Sequence, residues 1–341
     1  MTLADWAKRL DDDGKVAFIV NLLSQTNEIL DDMLWVEGNI ATGHKTTIRT
    51  GLPQAYFRLM NQGIPTSKST TAQITETCGH MEAFSDIDEM LAELNGLDKA
   101  IRLSEDMAFI EGMNQQMSNV LFYNNSVGTG AAAYMGLAPR YPSVLTTTAQ
   151  TANNVLDAGG TASTNTSVWL ISWGPNQIHG IFPKGFRAGI QQRDLGKQVK
   201  YDANTNPYYV YRTQFMWDAG LCVRDWRFAV RIANIDVTTL SGGTPPNLIN
   251  LLIRAIHRLP IQPARAGNVY TSGQNGEIPL QLGRCAFYCN RAVSTWLDIQ
   301  AVNKSNVLLK MEEFDGKPVT TFRGIPIRTV DQIANNEARV V

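Results

Sequence analysis

From Leu97 to Tyr123, apolar residues recur at steps of three and four: Leu103, Met107, Ile110, Met113, Met117 and Val120. That spacing predicts one amphipathic helix, with Glu105, Asp106, Glu111, Asn114 and Gln115 largely off the apolar stripe. At ~1.5 Å per residue it runs roughly 40 Å. Only Gly112 weakens it, by about 1 kcal/mol relative to alanine. Two helical patterns precede it, over 3–10 and 14–37. The second carries Val16, Ile19, Val20, Leu23, Ile29, Leu30 and Leu34 on one side and stops at Gly38.

Between Lys45 and Ile87 the period changes to two. KTTIRTG, AYFRLMNQ and TTAQITETCGHMEAFSDI alternate and are rich in Thr, which predicts the strands of a long ribbon. GIPTSKS (Gly63 to Ser69) forms its turn-rich tip. Isolated hairpins are marginal in water, so the ribbon is expected to lie on a neighbouring subunit. Leu59, Asn61, Gln62, Ile64, Lys68 and Thr70 are its candidate contact residues.

Past the long helix, Asn124 to Ser143 reads as a Gly- and Pro-rich loop and TANNVLDAGG as a short helix stopped at Gly159 and Gly160. SVWLISWG (Ser167 to Gly174) reads as a buried strand. Tyr208 to Asp236 reads as two or three strands turning near Asp218–Gly220. Pro246 to Leu259 is a helix with proline in its first turn. RCAFYCN is a strand and RAVSTWLDIQAVNK a helix. VLLKMEEF and KPVTTFRGIPIRTVDQI close the chain as two strands joined at Asp315–Gly316. Helices and strands both run along the chain, and the expected fold class is α+β.

Composition narrows the class. Charged residues make up 18% of the 341, below the ~25% of ordinary soluble domains, with neutral polar residues in their place. Such a surface is buried against copies of itself at lower desolvation cost. A net charge of −1 argues against a dedicated nucleic-acid binder. No apolar run reaches the ~20 residues of a membrane span, and MTLADWAKRLDDDGK lacks a signal-peptide core. The four cysteines, Cys78, Cys222, Cys285 and Cys289, are too few for a disulfide framework. They read as buried thiols.

Candidate chemistry is sparse. His44, His80, His179 and His257 fall in no HExxH and pair at no metal-ligand spacing. Asp202, Asn204 and Asn206 imitate the opening of a calcium loop. Pro207 then stands where glycine is required and Thr213 where the bidentate glutamate is, so a polar turn is the better reading. Phosphate-loop and nucleophile-elbow motifs are missing. Trp169, Trp173, Trp217 and Trp226 lie in expected strands and read as core. No catalytic, cofactor or metal residue is assigned from the sequence.

N-terminal helix, long ribbon, long helix, then a mixed region closing on a hairpin: this order resembles the major capsid proteins of tailed bacteriophages, with the Hong Kong 97-type fold. The close TFRGIPIRTVDQIANNEARVV is similar to that family's. LLSQTNEILDDMLWVEGN, TGHKTTIRTGLP, AFIEGMNQQMSNVLFY and DWRFAVRIANID resemble a short-tailed-phage (podovirus-like) group. The resemblance implies an N-terminal helical arm (1–37), an extended β-ribbon loop (38–87) and a spine helix with part of the peripheral domain (88–150). The axial domain and remaining peripheral strands follow (151–341). It implies a non-enzymatic subunit that self-assembles as hexamers and pentamers into an icosahedral head around double-stranded DNA, in a virion put together in the host cytoplasm. The expected partners are copies of itself, a portal protein at one vertex and a decoration protein. A separate scaffolding protein is expected because the helix–ribbon pattern starts within forty residues. Some members weld neighbours through a Lys–Asn isopeptide bond; no Asn or catalytic acid can be matched to Lys68. An encapsulin-like shell is the alternative, and an enzyme a distant third.

Overall fold

The computed structural model describes residues 25–93, 98–125, 132–240, 242, 245–260, 283–302, 309–314 and 317–341. The backbone alone is described at 98, 100, 301, 302, 309–314 and 317–319. The expected helix over 3–10, the first part of the one over 14–37 and the turn at Asp315–Gly316 lie outside the described residues. Within them the chain runs as a short helix α1 (Ile29–Asp32), then β1 (Trp35–Glu37), β2 (Gly43–Gly51) and β3 (Thr70–Asp88). Helices α2 (Glu89–Glu93) and α3 (Asp98–Tyr123) follow, then β4 (Val155–Asp157), β5 (Asn165–Trp173), β6 (Ile178–Phe182), β7 (Gln191–Tyr201), β8 (Pro207–Val223) and β9 (Ala229–Asp236). The chain ends with α4 (Val237–Leu240), α5 (Leu248–Arg258), β10 (Arg284–Cys289), α6 (Arg291–Val302), β11 (Leu309–Phe314), β12 (Lys317–Phe322) and β13 (Ile325–Thr329).

These thirteen strands join one hydrogen-bonded network whose main path is β11-β12-β13-β10-β5-β6-β8-β3-β2. The buried reading of SVWLISW holds at every residue of β5. Trp169 and Ile171 enter one core while Val168 and Leu170 enter a second on the opposite face. A continuous apolar run is what a strand covered on both sides requires. The first core takes the C-terminal half of α3 (Met113, Met117, Leu121, Phe122) together with Trp173 and Trp217. The second takes α5 and α6 through Leu248, Leu252, Ile256, Val293 and Leu297. Asn247 caps α5, its Oδ1 accepting from the Asn250 N–H at 3.3 Å. Pro246 therefore lies just outside the helix.

Several expectations are corrected. The helix expected to run to residue 37 ends by Met33, whose ψ is 126°. Trp35–Glu37 instead pairs parallel with Gly180–Phe182. Trp35 covers Gly180, where a Cβ would lie 2.8 Å from the indole. No turn occurs at Asp218–Gly220: β8 runs straight through, and the chain reverses at Trp226–Phe228. Gly220 marks a close approach, since a Cβ there would meet Ile181 and the Thr77 carbonyl at 2.9 Å. TANNVLDAGG holds a 3-10 turn (Gln150–Asn154) and then β4. β6 and β7 were not expected, and the final strand splits at a turn where Gly324 has φ 77°. Asp202 caps the β7–β8 turn, accepting from the Asn204 and Asn206 N–H groups at 2.8 Å each, so the polar-turn reading stands.

The C-terminal segment crosses the first core as a strap. Glu337 and Arg231, each with a side chain 6% exposed, form a 2.9 Å ion pair. Tyr123 donates to Glu337 at 2.6 Å and Ser167 donates to the same carboxylate. Arg231 also donates to Ser167 Oγ at 3.1 Å and to the Tyr141 carbonyl at 3.0 Å, and stacks on Trp169 at 5.2 Å. Asn234 clamps Val340 through both backbone groups at 2.8 Å.

Candidate assembly surface

The ribbon is built from two strands and an exposed tip. β2 pairs antiparallel with Thr70–Thr77 of β3, His44 opposite Glu76 and Thr46 opposite Ile74, with a bulge between Arg49 and Gly51. Asn39 fixes its root, bonding the Lys45 carbonyl and N–H at 2.7 Å each. Gly43 is required there, because a Cβ would lie 2.0 Å from the Glu76 carbonyl. Arg140 then forks onto Glu76 at 2.6 and 2.7 Å, tying the ribbon to the body.

Residues 52–69 hold no strand and are exposed throughout. The strand expected over AYFRLMNQ is absent, because no strand among the described residues pairs with it. All six candidate contact residues (Leu59, Asn61, Gln62, Ile64, Lys68 and Thr70) are exposed here. Leu59, Asn61, Gln62, Ile64 and Lys68 lie in this strandless tip, while Thr70 opens β3 and pairs with Gly51. Asn61 sits at φ 64° in the turn, where asparagine is tolerated. Leu52, Phe57, Leu59, Met60 and Ile64 stand in solvent around it. The loop keeps its form through local bonds, Ser67 to the Gln54 carbonyl at 2.7 Å and Arg58 to the Gln62 carbonyl at 3.3 Å. Such a cluster of large exposed apolar side chains is the kind of surface that interaction sites present.

A second exposed surface lies on α3. The predicted stripe is buried only toward its C-terminal end, at Met113 and Met117, while Leu103 and Met107 are 63% exposed and Ile110 39%. The N-terminal half instead buries Ile101 and packs Phe109 flat against Phe215, centroids 6.0 Å apart. Beside it, Met81, Ala83, Phe109, Gly112 and Met113 line a largely apolar groove of about 370 Å³. Gly112 keeps the groove open, with nothing within 4 Å of where its Cβ would stand.

The two ends of the stripe differ in consequence. Ile110→Asp should leave the subunit folded with a circular dichroism spectrum like wild type. Met117→Asp, at a position that accepts a 3.2 Å bond from Tyr134 OH in the core, should cost more than about 4 kcal/mol and give insoluble protein. Equal effects would show that the buried face of α3 is wrongly assigned.

Comparison with known proteins gives the family. The model of major capsid protein GP7 matches residues 11–341. The chain belongs to the GP7 major capsid protein family. A chain in the cryo-EM-derived structure of bacteriophage Epsilon15 is 33% identical to this capsid protein. The match covers 100% of this chain and 97% of that one, with a TM-score of 0.76. The bacteriophage JBD30 capsid aligns over 97% and 99% of the two chains at 9% identity and TM-score 0.48. The SrpI encapsulin of Synechococcus elongatus reaches 0.44 at 10% identity, over 70% of this chain and 97% of that one. Neither of these weaker likenesses bears weight. No curated protein sequence matches the chain. The capsid protein is a structural subunit and not an enzyme; with copies of itself it builds the shell of a phage virion.

Among the described residues no helix is long and apolar enough to cross a membrane. Trp169, Trp173 and Trp217 are buried as expected, whereas Trp226 lies half-buried in a 3-10 turn against the first core. Cys222 and Cys289 are fully buried and Cys78 and Cys285 partly so. Burial pushes all four thiols up to about 12. Sequence spacing missed one constellation, because its members lie on three separate strands: His44, His179 and Cys222.

Proposed function

We propose that the subunit assembles as hexamers and pentamers into the icosahedral head enclosing double-stranded DNA, and that the ribbon tip docks on an adjacent subunit. The observation that carries the docking is the tip itself. Its apolar side chains stay exposed, and its strandless backbone pairs with no strand among the described residues. The exposed flank of α3 (Leu103, Met107, Ile110) is an apolar surface of the kind such contacts cover. The chain divides on this reading into an N-terminal arm (1–37), the ribbon loop (38–87), the spine helix with part of the peripheral domain (88–150) and the axial domain with the remaining peripheral strands (151–341). Leu59, Asn61, Gln62, Ile64, Lys68 and Thr70 make the docking contact. A scaffolding protein guides closure, a portal occupies one vertex, a decoration protein binds the outside and DNA meets the inner face without sequence preference. Assembly takes place in the host cytoplasm. Family membership supports these roles. Electron microscopy of the recombinant protein, with and without its co-expressed genomic neighbours, tests them. Uniform closed shells should require the neighbours; uniform shells from this chain alone would remove the scaffold from the scheme.

A further inference from the structure

A polar cluster sits where the ribbon leaves the sheet. His179 on β6 and Cys222 on β8 are direct cross-strand partners, so their side chains stand side by side on one face. His44 reaches them from the root of β2, its ring edge-on to that of His179 with centroids 5.8 Å apart and planes at 84°. One ligand atom from each residue lies within 4.8 Å of the other two. His179 is 1% exposed. Neither of its ring nitrogens, nor Nδ1 of His44, completes a hydrogen bond with the protein. Burying an imidazole with neither nitrogen in a completed hydrogen bond is costly, so the site calls for a partner that the described residues do not provide.

We propose that His44, His179 and Cys222 bind a zinc ion, which staples the root of the ribbon to the body sheet. Two imidazoles and a thiolate make a donor set that suits this cation. Burial lowers His179 to about 4 and keeps His44 below its ordinary value, so both rings are neutral near pH 7 and offer lone pairs. The Gly174 carbonyl lies beside the His179 ring without completing a hydrogen bond to it, and on metal binding it is an acceptor at hand for the N–H of the second ring nitrogen. Tetrahedral zinc, with bonds of ~2.0–2.3 Å, sets its donors ~3.3–3.7 Å apart. The three therefore draw in by about 1 Å, and half-buried His44 has the freedom to make that move. On binding, the Cys222 thiol proton leaves to solvent and the metal takes its place. Arg224 opposes positive charge at both histidines, although its guanidinium is held away on the Pro175 carbonyl and Asn176 at 3.2 and 2.8 Å. Glu76, opposite His44 in the ladder, brings negative charge to Cys222, and its partner Arg140 brings positive charge there as well.

The test uses purified full-length protein, stripped with chelator and then titrated with Zn²⁺, or with Co²⁺ as a spectroscopic probe. The expected result is one equivalent retained through dialysis, a raised Tm and a thiolate-to-cobalt charge-transfer band. His44→Gln, at a half-buried position, and Cys222→Ser should each keep the wild-type circular dichroism. Each should weaken binding at least about 100-fold, beyond what loss of an outer-shell partner gives. The proposal is overturned if wild type retains no zinc, if Cys222→Ser keeps the band through another thiol, or if His44→Gln binds as wild type does. None of these readouts requires shells, so they stand apart from the assembly scheme.

Discussion

Glu337→Ala should destabilise the subunit by about 3–5 kcal/mol, the usual cost of stranding one member of a buried ion pair. The Arg231 guanidinium would keep Ser167 and the Tyr141 carbonyl but lose its only carboxylate, and Tyr123 would lose its acceptor. Against a typical domain stability of 5–15 kcal/mol this is a large fraction. Denaturant unfolding of the subunit should show the midpoint falling with the slope unchanged. Glu337→Gln should lose less, because the amide oxygen still accepts. Pairing Glu337→Ala with Arg231→Met should recover part of the loss by removing the stranded charge. A loss below about 1 kcal/mol for the alanine variant would mean that the strap does not hold the core.

Replacing residues 52–69 by a short turn between Gly51 and Thr70 should abolish shell formation while leaving a folded, soluble subunit. Among the described residues the excised stretch has no strand and its side-chain bonds stay within it, whereas β2 and β3 keep their ladder. Stability by denaturant should stay within about 0.5 kcal/mol of wild type, as for surface changes elsewhere. Sedimentation under conditions where wild type assembles should find only slow species. Normal shells from the shortened protein would remove the ribbon tip from the contacts between subunits. An unfolded product would place it in the core.

The long helix and the ribbon strands were legible from local periodicity, and β5 from its continuous apolar run. The phase of the helix was not. Leu103, Met107 and Ile110 continue the spacing of Met113 and Met117, yet in the isolated subunit only the latter pair is buried. A protein whose outer faces also become interiors carries two apolar surfaces on one helix, and periodicity alone averages them. Gly220 misled in another way: it looks like a turn and is a point of backbone crowding. The zinc constellation was invisible because 43 residues separate His179 from Cys222 and 135 separate His44 from His179. Only the β6–β8 ladder and the ribbon root bring them together.

Strand β3 is a single 19-residue element with two allegiances: Thr70–Thr77 belongs to the ribbon and Cys78–Asp88 to the body sheet, paired with β8. It is therefore a lever with its fulcrum near Gly79, where a Cβ would lie only 2.8 Å from the Ala133 backbone. At ~3.3 Å per residue the outer arm is about 25 Å long, so a 5 Å push at its end is a tilt of roughly 11°. That is about half the ordinary twist between neighbouring strands. Mechanical load met at the tip thus arrives at β8 as torsion, and what yields to a change in local curvature is the twist of the sheet itself.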